Sequence, residues 1–293
     1  MRLVTFETAD RVGIGRLDRG EDGDVVVDFG ADQTLPQDMA SFVALGDDGL
    51  AKAAALSPDA GLPLGSVRLL APLRPPNNVM CVGKNYAEHA REFASSGFDA
   101  SQKQHVPDHP VIFTKALSSI VGPGDAVTVT ADVTGTSDYE GELGVVIGPG
   151  GLGIDAADAL DHVYGYVVVN DMTVRELQKR HVQFFIGKSA STYCPLGPWI
   201  VTADEIPDIT AARVRTWVND ELRQDAPVSD LIFDIPRLVE TISSAVRLEP
   251  GDLIATGTPA GVGLGFDPPR FLTAGDEVTV TIDGVGTLTN PMA

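Results

Sequence analysis

Ser137-Asp138-Tyr139-Glu140-Gly141-Glu142-Leu143-Gly144-Val145-Val146-Ile147-Gly148-Pro149-Gly150-Gly151-Leu152-Gly153 joins a pair of glutamates two residues apart, an apolar run and a glycine-rich turn, and its reading decides the fold class. Leu143 to Ile147 has the short, β-branched content of a buried strand. The glycines after it match the GxGxxG spacing of a dinucleotide-binding turn, with Asp171 downstream in the place of the ribose-binding acid. That motif needs its third glycine packed inside the next helix. Here the first helix-start signal is Asp155, beyond Gly153, and Asp155 and Asp158 would set negative charge against a pyrophosphate. The stretch therefore reads as strand then turn, and a doubly wound nucleotide-binding sheet is set aside.

Outward from this strand, short β-rich runs dominate: Val79 to Val82, Val111 to Thr114, Ala126 to Thr130, Val163 to Val169, Trp199 to Thr202, Arg213 to Val218, Leu253 to Ala255 and Glu277 to Ile282. Helical patterns are fewer, near 85–95, 155–162, 173–180 and 235–245. Residues 1–72 alternate three strand-like runs with a helical stretch near 38–56, and a proline-rich segment, 64–78, leads into the next unit. The pattern predicts an α+β, mainly β chain, with a small N-terminal domain over 1–72 and a catalytic domain over 73–293. The polar stretch 94–108 reads as a loop.

Period-two geometry points Glu140 and Glu142 to one side of their strand. Such a pair is costly unless a proton, a cation or bulk water relieves the repulsion, so it is either a solvated pair at a sheet edge or a set of cation ligands. Asp171, at the exit of the next apolar run, adds a third hard oxygen donor. Three carboxylates without a soft or imidazole donor nearby in sequence suit Mg²⁺ or Mn²⁺, with Ca²⁺ as a substitute, and argue against Zn²⁺ or copper.

The 293 residues carry 21 Lys and Arg against 41 Asp and Glu, a formal charge of −20, which speaks against nucleic acid and anionic membrane as partners. An anionic substrate then needs local cations, and Lys84, Lys115, Arg175 and Lys188 stand close to these motifs. Cys81 and Cys194, the two cysteines, do not make a disulfide framework and fit a reducing cytoplasm. The first residues reach Glu7 too soon for a signal peptide, and no apolar run has the length of a membrane span.

Asn85-Tyr86-Ala87-Glu88-His89-Ala90-Arg91-Glu92 follows the Val79 strand. On a helix His89 and Glu92 share a face, so the carboxylate can orient the imidazole as a general base, although an ordinary surface pair has the same spacing. Gly83-Lys84-Asn85-Tyr86 with His89 and Glu92, Pro110 to Lys115, Asp138 to Glu142, Gly165 to Asp171 with Arg175 and Gln178, Gly187-Lys188-Ser189, and Thr256 to Gly263 occur in that order. Together they resemble the fumarylacetoacetate hydrolase family, in particular its acylpyruvase-like and 2-hydroxyhepta-2,4-diene-1,7-dioate isomerase-like members, over residues 79 to about 265.

The resemblance implies a β-roll catalytic domain, a homodimer, and a Mg²⁺ or Mn²⁺ ion on Glu140, Glu142 and Asp171. It places a catalytic lysine at Lys188 and the base dyad, on a lid helix, at His89 and Glu92. Lys115, Tyr139, Arg175, Gln178 and Thr258 are then expected to bind a small anionic 2-oxo or diketo acid. Hydrolytic carbon–carbon cleavage of an acylpyruvate or fumarylpyruvate is the leading activity; oxaloacetate decarboxylation, and isomerisation or hydration of unsaturated 2-oxo diacids in aromatic catabolism, use the same chemistry. A metal-binding protein without catalysis is the reading from another class. Lys188-Ser189-Ala190-Ser191 departs from the Lys-Ser-Phe-Asp of many members, which bears on the substrate class.

Overall fold

A computed structural model of the chain describes residues 1–20, 23–98 and 106–293. Strands outweigh the six α-helices among these residues, as the sequence pattern leads one to expect. The main sheet runs Leu62–Pro63, Gly23–Asp28, Val12–Gly20, Arg2–Glu7, Cys194–Thr202, Val163–Asn170, Gly141–Ile147, Leu253–Ala255, Val79–Gly83, Val111–Lys115. A second sheet, Glu221–Pro227, Arg213–Val218, Glu277–Ile282 and Gly286–Pro291, packs across its centre.

The central strands are buried on both faces. Val145, Ile147, Tyr166 and Val168 enter the core shared with the second sheet, whereas Val146, Val167 and Val169 face a core closed by Met39, Phe42 and Ala53. Two covered faces explain why these strands read as continuous apolar runs instead of alternating ones. Each fully buried side chain of this size contributes about 1.5–3 kcal/mol, so the middle of the sheet is the rigid part of the molecule. Helix Ile235–Ser243 adds Ile235, Leu238, Val239 and Ile242, one helical stripe, to the first core, and Asp234 caps it by accepting from the Arg237 N–H.

The expected boundary at 72/73 falls between strands Arg68–Leu70 and Val79–Gly83. Residues before it extend the main sheet, because Arg2 and Leu3 pair with Val201 and Ile200. Two local expectations fail. The helical pattern at 155–162 yields only a 3-10 turn, Ala159–His162, after the glycine-rich turn. The strand expected at 126–130 is a bridge at Val127 followed by a 3-10 turn, Val129–Ala131; Asp132 draws the chain round by accepting from the Thr134 and Thr136 N–H groups. Of the loop expected over 94–108, residues 99–105 lie outside the described residues.

One irregularity positions the site. Gly141–Ile147 pairs with Val163–Asn170 up to Gly141 opposite Asn170, and pairing resumes as Ser137–Asp138 against Thr173–Val174. Between the two ladders the Asp171 N–H donates to the Glu140 carbonyl at 2.8 Å and the Glu140 N–H to Asn170 Oδ1 at 3.0 Å. Both backbones are thereby held where Glu140 and Asp171 project together.

Candidate active site

Glu140, Glu142 and Asp171 are 5%, 1% and 0% exposed, and one carboxylate oxygen from each lies within 4.8 Å of the others. Burial at this level removes the solvated-pair alternative, so cations must carry the balance. Lys188, at the end of the short helix Phe185–Lys188, donates to Glu140 Oε2 at 2.6 Å and to Asp171 Oδ2 at 2.7 Å. Lys115 ends its strand behind Asp171, with Nζ 2.6 Å from Oδ1. Arg175 bridges Asp138 Oδ2 at 2.9 Å and Glu140 Oε1 at 2.6 Å. Glu142 accepts from the Gly257 N–H at 2.9 Å.

Among the groups in direct contact, Asp138, Glu140, Glu142 and Asp171 outnumber Lys115, Lys188 and Arg175 by one charge, and Lys84 lines the same cavity. Burial works against charge on Glu140, but Lys188 and Arg175 outweigh it and hold that carboxyl at about 2. Glu142 takes the deficit: burial, then the Asp171 and Glu140 carboxylates, push it well above its ordinary value. Burial would also lower Lys188, yet Asp171 and Glu140 outweigh it and keep the ammonium charged. An all-carboxylate donor set, one member of which needs a proton for want of a cation, fits a hard divalent ion.

His89 stands on helix Ala87–Ser95 over this cluster. Its Nδ1 lies 3.2 Å from Glu92 Oε2, which makes Nδ1–H the donor and leaves Nε2 basic. Glu92 Oε1 accepts from the Gly261 N–H at 3.0 Å. Phe93, from the same helix, packs on Val262 and Leu264. His89, Glu140, Glu142, Arg175, Gln178 and Lys188 line one cavity with about 20 Å³ of free volume, room for a single water-sized particle. Thr258 and the Phe93, Phe113 and Phe184 rings also border it. A roomier cleft of about 450 Å³ beside the N-terminal strands gathers no buried acid or base.

Of the expected site residues, four stand outside the lining of this cavity: Glu92, which reaches it through His89, Asp171, which reaches it through Lys188, and Lys115 and Tyr139. Lys115 supports Asp171 from behind, donating to the Met172 carbonyl at 2.9 Å as well. Tyr139 is fully buried, and its hydroxyl donates to the Gly261 carbonyl at 2.6 Å. Thr258 spends its hydroxyl on two neighbouring strands, donating to the Gly141 carbonyl at 3.0 Å and accepting from Gln224 Nε2 at 2.7 Å. Sequence reasoning passed over Asp138, although it begins the acidic motif; it fixes Arg175 and accepts from the Gly263 and Leu264 N–H groups. Cys81 and Cys194 are free and buried. Among the described residues no helix is long and apolar enough to cross a membrane.

Residues 78–293 match the family model described as fumarylacetoacetate (FAA) hydrolase, C-terminal. Oxaloacetate tautomerase YisK from Bacillus subtilis (strain 168) is 47% identical over 269 residues, covering 88% of this chain and 87% of its own. The solved fumarylacetoacetate hydrolase from psychrophilic Exiguobacterium antarcticum is 41% identical with a TM-score of 0.84, covering 100% of this chain and 99% of that one. Maleylpyruvate hydrolase from Sphingobium sp. SYK-6, solved with manganese(II) and pyruvate, is 31% identical with a TM-score of 0.76 at coverages of 100% and 99%.

Proposed function

The chain belongs to the fumarylacetoacetate hydrolase family, and from that premise we propose that it is a divalent-metal-dependent enzyme that interconverts the keto and enol forms of a small 2-oxo diacid, with oxaloacetate as the type substrate. The observation that carries this reading is the placement of His89, oriented by Glu92, on the wall of one cavity with the buried carboxylates of Glu140 and Glu142, which cluster with Asp171. Glu140, Glu142 and Asp171 would hold Mg²⁺ or Mn²⁺. When bound, the ion would polarise the 2-oxo oxygen as a Lewis acid.

The chain's own groups account for the remaining requirements. Arg175 Nη2 is buried and makes no hydrogen bond among the described residues, which leaves it for a substrate carboxylate. Gln178 accepts from Arg175 Nη1 at 3.2 Å, so its amide N–H groups remain to donate. His89 takes a proton from the carbon next to the 2-oxo group and a proton is returned to oxygen, with Glu92 steadying the imidazolium between the two transfers. Lys188 keeps Glu140 and Asp171 oriented and sets positive charge beside the oxygen that gains electron density.

The same dyad would serve hydrolysis of an acylpyruvate, with His89 taking its proton from water, and the likeness to maleylpyruvate hydrolase favours that as the second reading. Enol oxaloacetate, followed by its ultraviolet absorbance with Mn²⁺, tests the first; pyruvate release from an acylpyruvate tests the second. Tautomerisation faster than in buffer, lost in His89→Ala, is the expected result. Pyruvate release without accelerated tautomerisation would transfer the assignment to hydrolysis, and the absence of both would remove the enzyme reading.

A further inference from the structure

Gly261-Val262-Gly263-Leu264-Gly265 is shared between the two halves of the site. Its apolar members, Val262 and Leu264, hold Phe93 of the His89 helix. Its N–H groups serve two different carboxylates: Gly261 donates to Glu92 Oε1 at 3.0 Å, while Gly263 and Leu264 donate to Asp138 at 2.7 and 3.0 Å. Asp138 in turn orients Arg175, which pairs with Glu140. Gly261 sits at φ +102°, where an added Cβ would run into the Arg223 backbone, so only glycine fits this position. Tyr139 closes the arrangement by donating to the Gly261 carbonyl from the residue adjoining Glu140.

We infer that Tyr139 is a positioning residue for proton transfer. Its hydroxyl holds the Gly261 carbonyl, the Gly261 N–H on the preceding peptide holds the Glu92 carboxylate, and Glu92 fixes the tautomer and aim of His89, so the strand that carries the cluster reaches the base through the two peptides that flank the Gly261 Cα. This assigns Tyr139 a role other than the substrate contact expected of it. The inference rests on the proposed function for its catalytic consequence only; the mechanical link from Tyr139 to the His89 helix is independent of which substrate is used. A hydrogen-bonded relay of buried groups transmits small displacements because neither partner has water to fall back on, and misplacement of a reacting group by about 1 Å costs up to roughly a hundredfold in rate.

Two variants reach the relay at different links, one at the Tyr139–Gly261 bond and one at the Glu92 carboxylate. Tyr139→Phe keeps the ring and removes the hydroxyl. Gly265→Ala leaves Tyr139 intact but places a Cβ against the Glu92 carboxylate, whose atoms are the nearest to that position. Each is expected to lower kcat on oxaloacetate by roughly tenfold to a hundredfold with KM within about twofold of wild type. Mn²⁺ affinity, measured by calorimetry, should stay within about twofold, and amide hydrogen exchange in helix Ala87–Ser95 should quicken in both. Raised KM with unchanged kcat in Tyr139→Phe would overturn the inference and return the hydroxyl to substrate binding. Unchanged exchange in that helix in both variants would overturn it even if the wild-type protein turned over no 2-oxo acid, whereas quickened exchange with no turnover would sink the proposed activity and leave the relay standing.

Discussion

Glu140, Glu142 and Asp171 stand at the ends of strands whose every residue is buried, tied down by Lys115, Lys188 and Arg175. His89 and Glu92 ride a nine-residue helix with no side-chain cap at its start, attached through Phe93 and the Gly261 N–H. A helix that short is marginal in water and exists here only because of what it touches. The difference separates two tasks. Charge that must be held at fixed spacing is built into the sheet, while the base of the proposed reaction is mounted on a short helix that depends on its contacts.

The largest expected effect comes from breaking the rigid half. Asp171→Ala would leave Lys115 without its carboxylate in a fully buried position and Lys188 with only Glu140, and unpairing a buried charge costs about 3–5 kcal/mol. Thermal unfolding should begin several degrees lower, with Mn²⁺ binding and turnover both lost. Retained Mn²⁺ affinity would remove Asp171 from the ligand set. Next, His89→Ala should lower kcat by about 10² to 10⁴ while leaving Mn²⁺ affinity and the melting temperature close to wild type. A melting temperature that fell with His89 would mean that the two halves are not separable. Smaller again is Phe93→Ala, which removes the lid's apolar anchor. Faster proteolysis confined to the His89 helix, with a roughly tenfold fall in kcat and an unchanged metal isotherm, is expected.

The same contrast decides what the sequence discloses. Val163 to Val169, Arg213 to Val218 and Leu253 to Ala255 were legible because burial on one or both faces demands β-branched and apolar residues there. Glu221–Pro227 escaped because its Glu, Arg, Gln and Asp side chains carry no apolar run at the edge of the second sheet, and Gly286–Pro291 because threonine and asparagine fill it. In the site, Glu140, Glu142 and the His89 and Glu92 pair could be read from spacing, since each pair lies on one element. The roles of Asp138, Lys115 and Tyr139 could not. Their partners Arg175, Asp171 and Gly261 are 37, 56 and 122 positions away, and only the pairing of the strands brings them together.

The gentlest way to sharpen the comparison is to titrate the rigid half. An unperturbed glutamate carboxyl lies near 4.5, and burial beside Asp171 and Glu140 raises Glu142 well above it in the folded, metal-free chain. Between those two values the folded chain holds a proton that the unfolded chain has released, so raising the pH through that window removes stability from the metal-free protein. A bound divalent ion reverses the sign, because it stabilises the carboxylate and expels the proton. Mn²⁺ affinity should therefore climb by up to about tenfold per pH unit within the window and level off above it. Calorimetry in buffers of different ionisation enthalpy should register close to one proton released per ion in the lower part of the range, and none in Glu142→Gln. An affinity that is flat from pH 5 upward would mean that Glu142 is already ionised, and that Lys115, Lys188 and Arg175 balance the cluster without a further cation.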